Sequence, residues 1–321
     1  MKRTMLFLLA VFAVGGCAAR SDTPIASGGS CPLVRLAEVP VEAHGSMLFV
    51  RATVSNVPVI LLVDTGAERT LFTEAAVDRL HLPRDLQHAT RTYGIGSPTT
   101  TWDAKLPDGL MLGGTRFPID NITVGRFGMM HVLGVPADGL LGADVLLAFD
   151  LDLDLPDHRL TFYRAREGCP DTPPPWAEPY VGVAGIITQR DRLLVPFELD
   201  GVRGTGVLDT GAQLSSISQR MAERLGLEEG ELAEDQTVMA HGAAPDQVAV
   251  PVHHFHELRV GSAVMKAPAM PVVPMTSGMG DALIGADFLR GRRVWLSFST
   301  HRVFVTPIEH APWIAVTQSH D

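Results

Sequence analysis

The sequence predicts an all-β chain folded as two pseudo-symmetric lobes, with a cleft between them and one short helix in each. Three observations carry that expectation: the chain repeats itself, each copy is rich in strand-forming side chains, and a Pro-rich stretch separates the copies. The repeat comes first, because a duplicated unit changes the reading of every element inside it. "MLFVRATVSNVPVILLVDTGA" (Met47 to Ala67) lies without gaps over "RLLVPFELDGVRGTGVLDTGA" (Arg192 to Ala212), which sets Asp64 on Asp209. Further on, "DGLLGADVL" (Asp138 to Leu146) lies over "DALIGADFL" (Asp281 to Leu289), and "HRLTF" (His158 to Phe162) over "HRVFV" (His301 to Val305). "GCPDTPPPWAEP" (Gly168 to Pro179) stands between the copies and reads as a stiff linker.

The N-terminus reads as an export signal: Lys2 and Arg3, an apolar run from Met5 to Val14, then Val14-Gly15-Gly16-Cys17. The apolar run is too short for a permanent membrane-spanning helix. Its end resembles a bacterial lipobox, which implies a lipid on Cys17; an ordinary cleaved signal with an incidental cysteine is the alternative. In each copy a hairpin is expected to lead into Asp-Thr-Gly, with Ser55-Asn56 and Asp200-Gly201 as its turns. "TEAAVDRLHL" and "SQRMAERLGL" have helical spacing, with Thr73 and Ser218 as caps. "FDLDLDL" (Phe149 to Leu155) alternates, and reads as a strand with Asp150, Asp152 and Asp154 on a solvated face rather than as a calcium site. "HHFHE" (His253 to Glu257) puts His254 and His256 on one face of a strand, but no third ligand follows at metal spacing, so no metal is expected there. The divisions read as a signal peptide 1–16, a lipid-anchored tether 17–31, lobes 32–167 and 183–308, a linker 168–182 and a tail 309–321.

A chain of 321 residues suggests two domains, and 46% hydrophobic with 19% charged residues is a globular composition. The formal net charge of −10 falls by two more units if Lys2 and Arg3 leave with the signal, which argues against nucleic acid as a partner. Setting Cys17 aside leaves Cys31 and Cys169, which flank the first half; an exported protein can join them in a disulfide, though two free thiols remain the alternative.

Asp64-Thr65-Gly66 and Asp209-Thr210-Gly211, each with an apolar-apolar-Gly segment downstream (Leu140-Leu141-Gly142 and Leu283-Ile284-Gly285), resemble the pepsin and retropepsin class of aspartic proteases. Tyr93-Gly94-Ile95-Gly96 resembles the tip of that family's flap. The second copy departs from it, with His241-Gly242 where the first has Tyr93-Gly94. Ala67 and Ala212 after the glycines are closer to the retropepsin pattern, whereas both copies in one chain resemble pepsin. Retropepsins usually carry Asp at the next position; Glu68 and Gln213 stand there, and the ion pair made from it is left open.

The resemblance implies two acid-protease lobes meeting at a pseudo-two-fold axis, with Asp64 and Asp209 as the catalytic pair and no cofactor. Hydrolysis by water needs a base and an acid, and two neighbouring carboxyls that share one proton supply both. Thr65 and Thr210 would brace the pair, and Gly66 and Gly211 would donate backbone N–H groups to it. The flap residues would close on an extended polypeptide substrate. The function expected is therefore a monomeric aspartic endopeptidase, held by its lipid in the periplasm, with the outer membrane favoured because Ala18 rather than Asp follows Cys17. Its rival is a catalytically inactive envelope lipoprotein that only binds peptides.

Overall fold

In each copy the first two strands meet at a tight turn with a left-handed backbone. Ser55 and Asn56 have φ of 47° and 67°, and Asp200 and Gly201 have 46° and 83°, a geometry whose twist matches the flanking strands. Met47–Val54 thus pairs with Val57–Val63, and Leu193–Leu199 with Val202–Leu208. The computed structural model describes residues 33–44, 46–92, 99–125, 137–164, 173–241, 247–275 and 278–307. Within them the chain is all-β with a few short helices, and each copy forms its own lobe. Val50, Leu61 and Val63 fill the first core, and Val195, Leu199 and Leu208 the second, without exposure to solvent.

After each Asp-Thr-Gly a short strand, Leu71–Thr73 or Ser216–Ser218, runs into the expected helix, Glu74–Arg79 or Gln219–Arg224. Thr73 Oγ1 accepts from Ala76 N at 3.1 Å, and Ser218 Oγ from Met221 N at 3.1 Å, so both hydroxyls cap as their sequence positions suggest. Three further single-turn helices, Ala143–Leu146, Glu229–Leu232 and Ala286–Leu289, go beyond the one per copy expected. Four residues are too few to show a helical period in a sequence.

Both copies also build a long hairpin, Arg84–Thr92 with Thr99–Lys105 and Gln236–His241 with Gln247–His254. The second is paired as far as His241 opposite Gln247, although it lacks Gly-Ile-Gly. Tyr93, Gly94, Ile95, Gly96 and Gly242 lie outside the described residues, as do Cys17, Cys31 and Cys169.

A shared sheet joins the lobes, with three strands from each copy: Val34–His44, Arg159–Arg164 and Asp150–Asp154 from the first, Arg293–Ser297, Arg302–Val305 and Val181–Ala184 from the second. At its middle Asp152 faces Trp295, residues equivalent in the repeat, so the pseudo-two-fold axis passes between them. This corrects the solvated face expected for Phe149–Leu155. Asp150, Asp152 and Asp154 are 1%, 2% and 6% exposed. Asp152 accepts from Arg293 Nε and Nη2 at 2.9 and 2.7 Å and from Trp176 Nε1 at 3.2 Å. Asp150 is held by Ser297 Oγ, Ser299 Oγ and Ser299 N at 3.2, 2.9 and 3.1 Å. Asp154 pairs with Arg159 at 2.8 Å. Buried carboxylates persist only where donors reach them, and most of these donors come from the second copy.

Candidate active site

Each aspartate stands where a strand ends and the backbone turns back on itself. Asp64 follows Val57–Val63, and the apolar segment Gly139–Leu141 crosses beside that strand in parallel, with Leu140 opposite Leu62. Asp64 N donates to Leu141 O at 3.0 Å. The second lobe repeats this: Ala282–Ile284 runs parallel to Val202–Leu208, Leu283 faces Val207, and Asp209 N donates to Ile284 O at 2.9 Å. The turn then folds its own amides onto the carboxyl. Gly66 N and Ala67 N donate to Asp64 Oδ1 at 3.0 and 2.9 Å, and Gly211 N and Ala212 N to Asp209 Oδ1 at 2.9 and 3.1 Å.

The threonines lock the two turns together. Thr65 N donates to Thr210 Oγ1 and Thr210 N to Thr65 Oγ1, both at 3.1 Å, while Thr65 Oγ1 donates to Leu208 O and Thr210 Oγ1 to Val63 O, both at 2.7 Å. Both residues are buried. The glycines answer to the opposite lobe: a Cβ on Gly66 would lie 2.4 Å from the Asp209 carboxyl carbon, and one on Gly211 would lie 2.4 Å from that of Asp64. Any side chain at either position would push the lobes apart.

The two carboxyls meet across the pseudo-two-fold axis, each against the glycine of the opposite turn, and both hold a proton more tightly than an ordinary carboxyl does. Burial is the first cause in each; for Asp64 the charge of Asp209 comes second. The backbone N–H groups pull the other way and do not offset burial. A buried pair of this kind keeps one proton between two oxygens.

A second ring of repeated residues supports the turns. Thr70 N and Oγ1 donate to Asp144 Oδ1 at 2.8 and 2.7 Å, and Gly142 N to Thr70 Oγ1 at 3.1 Å. Ser215, Asp287 and Gly285 make the same three bonds at 2.8, 2.7 and 2.9 Å. Asp138 accepts from Ile60 N at 2.9 Å and pairs with Arg79; Asp281 accepts from Thr205 N at 3.1 Å and pairs with Arg220 and Arg224. Sequence reasoning assigned no role to Thr70, Ser215, Asp138, Asp144, Asp281 or Asp287, yet the signal was present, since "DGLLGAD" and "DALIGAD" keep both aspartates.

Arg192 was also missed. It is 5% exposed, donates from Nε to Gly66 O at 3.0 Å across the lobes, and pairs through Nη2 with Glu68 at 3.0 Å. The partner left open for Glu68 is therefore this arginine. At the equivalent position the first copy has Met47.

The structure thus brings Asp64, Thr65 and Gly66 against Asp209, Thr210 and Gly211. Of the flap residues, only the His241 backbone falls within the described residues, at the end of its strand. In "HHFHE" two of the three imidazoles have separate partners: His253 Nδ1 lies 2.8 Å from Asp235 and His256 Nδ1 3.2 Å from Asp200, with Phe255 buried between them. Among the described residues no group of three or more His, Cys, Asp or Glu side chains is placed to hold a metal ion.

Two lobes that each present an aspartate at a shared axis define the acid-protease fold. A family model described as an aspartyl protease matches residues 50–145 and again 195–288. The chain therefore belongs to the aspartyl protease family, with one match for each lobe. A comparison with curated proteins finds no match.

Proposed function

We propose that the chain is an aspartic endopeptidase that hydrolyses peptide bonds of polypeptides with a water activated between Asp64 and Asp209. The observation that carries this reading is geometric: the interlocked Asp-Thr-Gly turns set the half-buried Asp64 and the buried Asp209 against each other's glycines, and both carboxyls have raised proton affinity. Such a pair supplies base and acid at once near neutral pH. Symmetric bracing by Thr65 and Thr210 supports the same reading, because a reacting pair must be held to a fraction of an ångström. The two long hairpins supply strand edges against which an extended peptide can pair.

We place this activity in the bacterial envelope, on the strength of the signal-like N-terminus and Cys17 alone. The chain from Arg20 onward, incubated with a mixed peptide library beside its Asp64→Asn variant, is expected to cut internal bonds while the variant does not. Peptides bound but uncut by both proteins would return the inactive binding lipoprotein. Separately, Cys17→Ser is expected to move the protein from the membrane to the soluble fraction of cells, and an unchanged distribution would remove the anchor.

A further inference from the structure

Among the described residues the repeat matches the hydrogen-bonded surroundings of the two aspartates, but not the charges around them. Their own amides, the threonine grip, the crossing segments, and the buried Asp144 and Asp287 behind Thr70 and Ser215 are matched between lobes. Matched groups cannot favour one carboxyl over the other. Among the described residues, the charged groups beside the pair are Glu68 and Arg69 after the first turn, Asp103 on the strand Thr99–Lys105, and Arg190 and Arg192 from the second lobe. Arg69 and Asp103 form a bidentate pair at 3.2 and 2.9 Å, which leaves little net field. Glu68 is 39% exposed and lies 3.0 Å from Arg192 and 3.7 Å from Arg190. The positions equivalent to Glu68, Arg190 and Arg192 are Gln213, Gly45 and Met47, all neutral.

Arg192 is an unmatched charge that reaches across the lobes to the Asp64 turn. Its guanidinium is buried against Gly66, and Gly66 in turn abuts the Asp209 carboxyl. Among the described residues its Nη1 is buried with no hydrogen-bond partner, so part of the charge is unquenched in a region where fields are weakly screened. We propose that Arg192 breaks the symmetry of the pair, so that Asp209 carries the negative charge and Asp64 the proton. This rests on the proteolytic reading above and assigns the roles within it. Asp209 then takes a proton from water as its oxygen attacks the peptide carbonyl carbon, and Asp64 gives its proton to the carbonyl oxygen. On collapse of the gem-diol the C–N bond breaks, Asp209 returns its proton to the amine nitrogen, and Asp64 regains one from a gem-diol hydroxyl. The pair ends as it began.

One effect opposes this assignment. By binding Gly66 O, Arg192 polarises the Gly66–Ala67 peptide, whose N–H donates to Asp64 and so favours the Asp64 anion. That is a change of about 10–30% in one hydrogen bond. The part of the Arg192 charge that Glu68 does not quench, with only Gly66 between it and Asp209, outweighs this, and it lowers the Asp209 proton affinity against the larger effect of burial, which raises it. Arg192 is a positioning residue and touches no reacting atom.

The test needs no substrate. In Asp64→Asn and in Asp209→Asn the single remaining carboxyl is titrated by ¹³C NMR of labelled aspartate. The lone Asp209 is expected to titrate about one pKa unit below the lone Asp64. Arg192→Met, which copies Met47, should close that gap, Arg192→Lys should keep it, and Met47→Arg should narrow it by lowering Asp64. Equal titration of the two carboxyls, or a gap indifferent to residue 192, would overturn the proposal. If Arg192→Met fails to fold, the two Asn variants and Met47→Arg still decide it. A protein that proves to cleave nothing leaves the titrations readable, so the two readings fail separately.

Discussion

On the proposed reading Asp64 and Asp209 share one proton, so neither is expected to retain part of the activity without the other. Asp64→Asn and Asp209→Asn should each lower kcat/KM by on the order of 10³-fold or more, and the double variant should lose no more than either. Additive partial losses would show that the carboxyls act separately. On the same reading, the residue after each glycine is expected to set the working pH. Ala67 and Ala212 offer the carboxyls only a backbone N–H, whereas a serine hydroxyl would donate a further bond to the anion and lower its proton affinity. The wild type should work from mildly acidic to near-neutral pH, and Ala67→Ser with Ala212→Ser should move the optimum down by about half to one unit. A pH–rate profile of both proteins checks this. The same raised proton affinity has a stability consequence. An aspartate that holds its proton more tightly in the folded chain contributes most below its unfolded pKa of about 3.9, and that contribution is lost as pH rises toward the folded value. Asp64→Asn, which takes up no proton on folding, should therefore melt higher than wild type at pH 7, with the difference shrinking toward pH 4. An equal or lower melting temperature at pH 7 would contradict it.

Among the elements, the strand pair Asp150–Asp154 and Arg293–Ser297 does most to set one lobe against the other. Asp152 is 2% exposed and bonded twice to Arg293, whose guanidinium also lies 4.9 Å over the Trp176 ring and 2.9 Å from Glu178. Removing one partner of a buried pair costs about 3–5 kcal/mol, because the other charge is left uncompensated. Asp152→Ala should lower stability by that order in urea melts. It should also reduce activity without moving the pH optimum, since Asp152 acts at the sheet and not at the carboxyls. Thr65 and Thr210 work at the next interface up, where each hydroxyl donates to a main-chain carbonyl of the opposite lobe. Serine can make the same bonds, so Thr65→Ser should retain most activity, while Thr65→Val should lose it along with about 1–3 kcal/mol of stability.

At the scale of the molecule, one chain supplies both halves of the site. Activity should rise linearly with protein concentration down to the lowest measurable level. A loss on dilution that followed a dimer's dissociation would mean that the halves come from different chains. The duplicated chain also has a freedom that a symmetric assembly of identical copies lacks: a change in one copy need not appear in the other. Arg192 opposite Met47 and Glu68 opposite Gln213 are changes of that kind, and they fall beside the carboxyl pair.

Much of this was legible in the residues. The Asp-Thr-Gly turns, the hairpin turns at Ser55-Asn56 and Asp200-Gly201 and the helix caps Thr73 and Ser218 depend on backbone geometry and hydrogen bonds spanning two or three residues, and such signals survive in a short window of sequence. Duplication made them stronger, because each appears twice. The fate of Asp150, Asp152 and Asp154 was not legible. Alternation along a strand separates two faces but does not say what covers the polar one, and the arginine on Asp152 arrives from 141 residues away. Arg192 reaches Gly66 across 126 residues for the same reason. A charge can be buried only where its partners converge, and partners so distant in sequence converge only once the two lobes have packed.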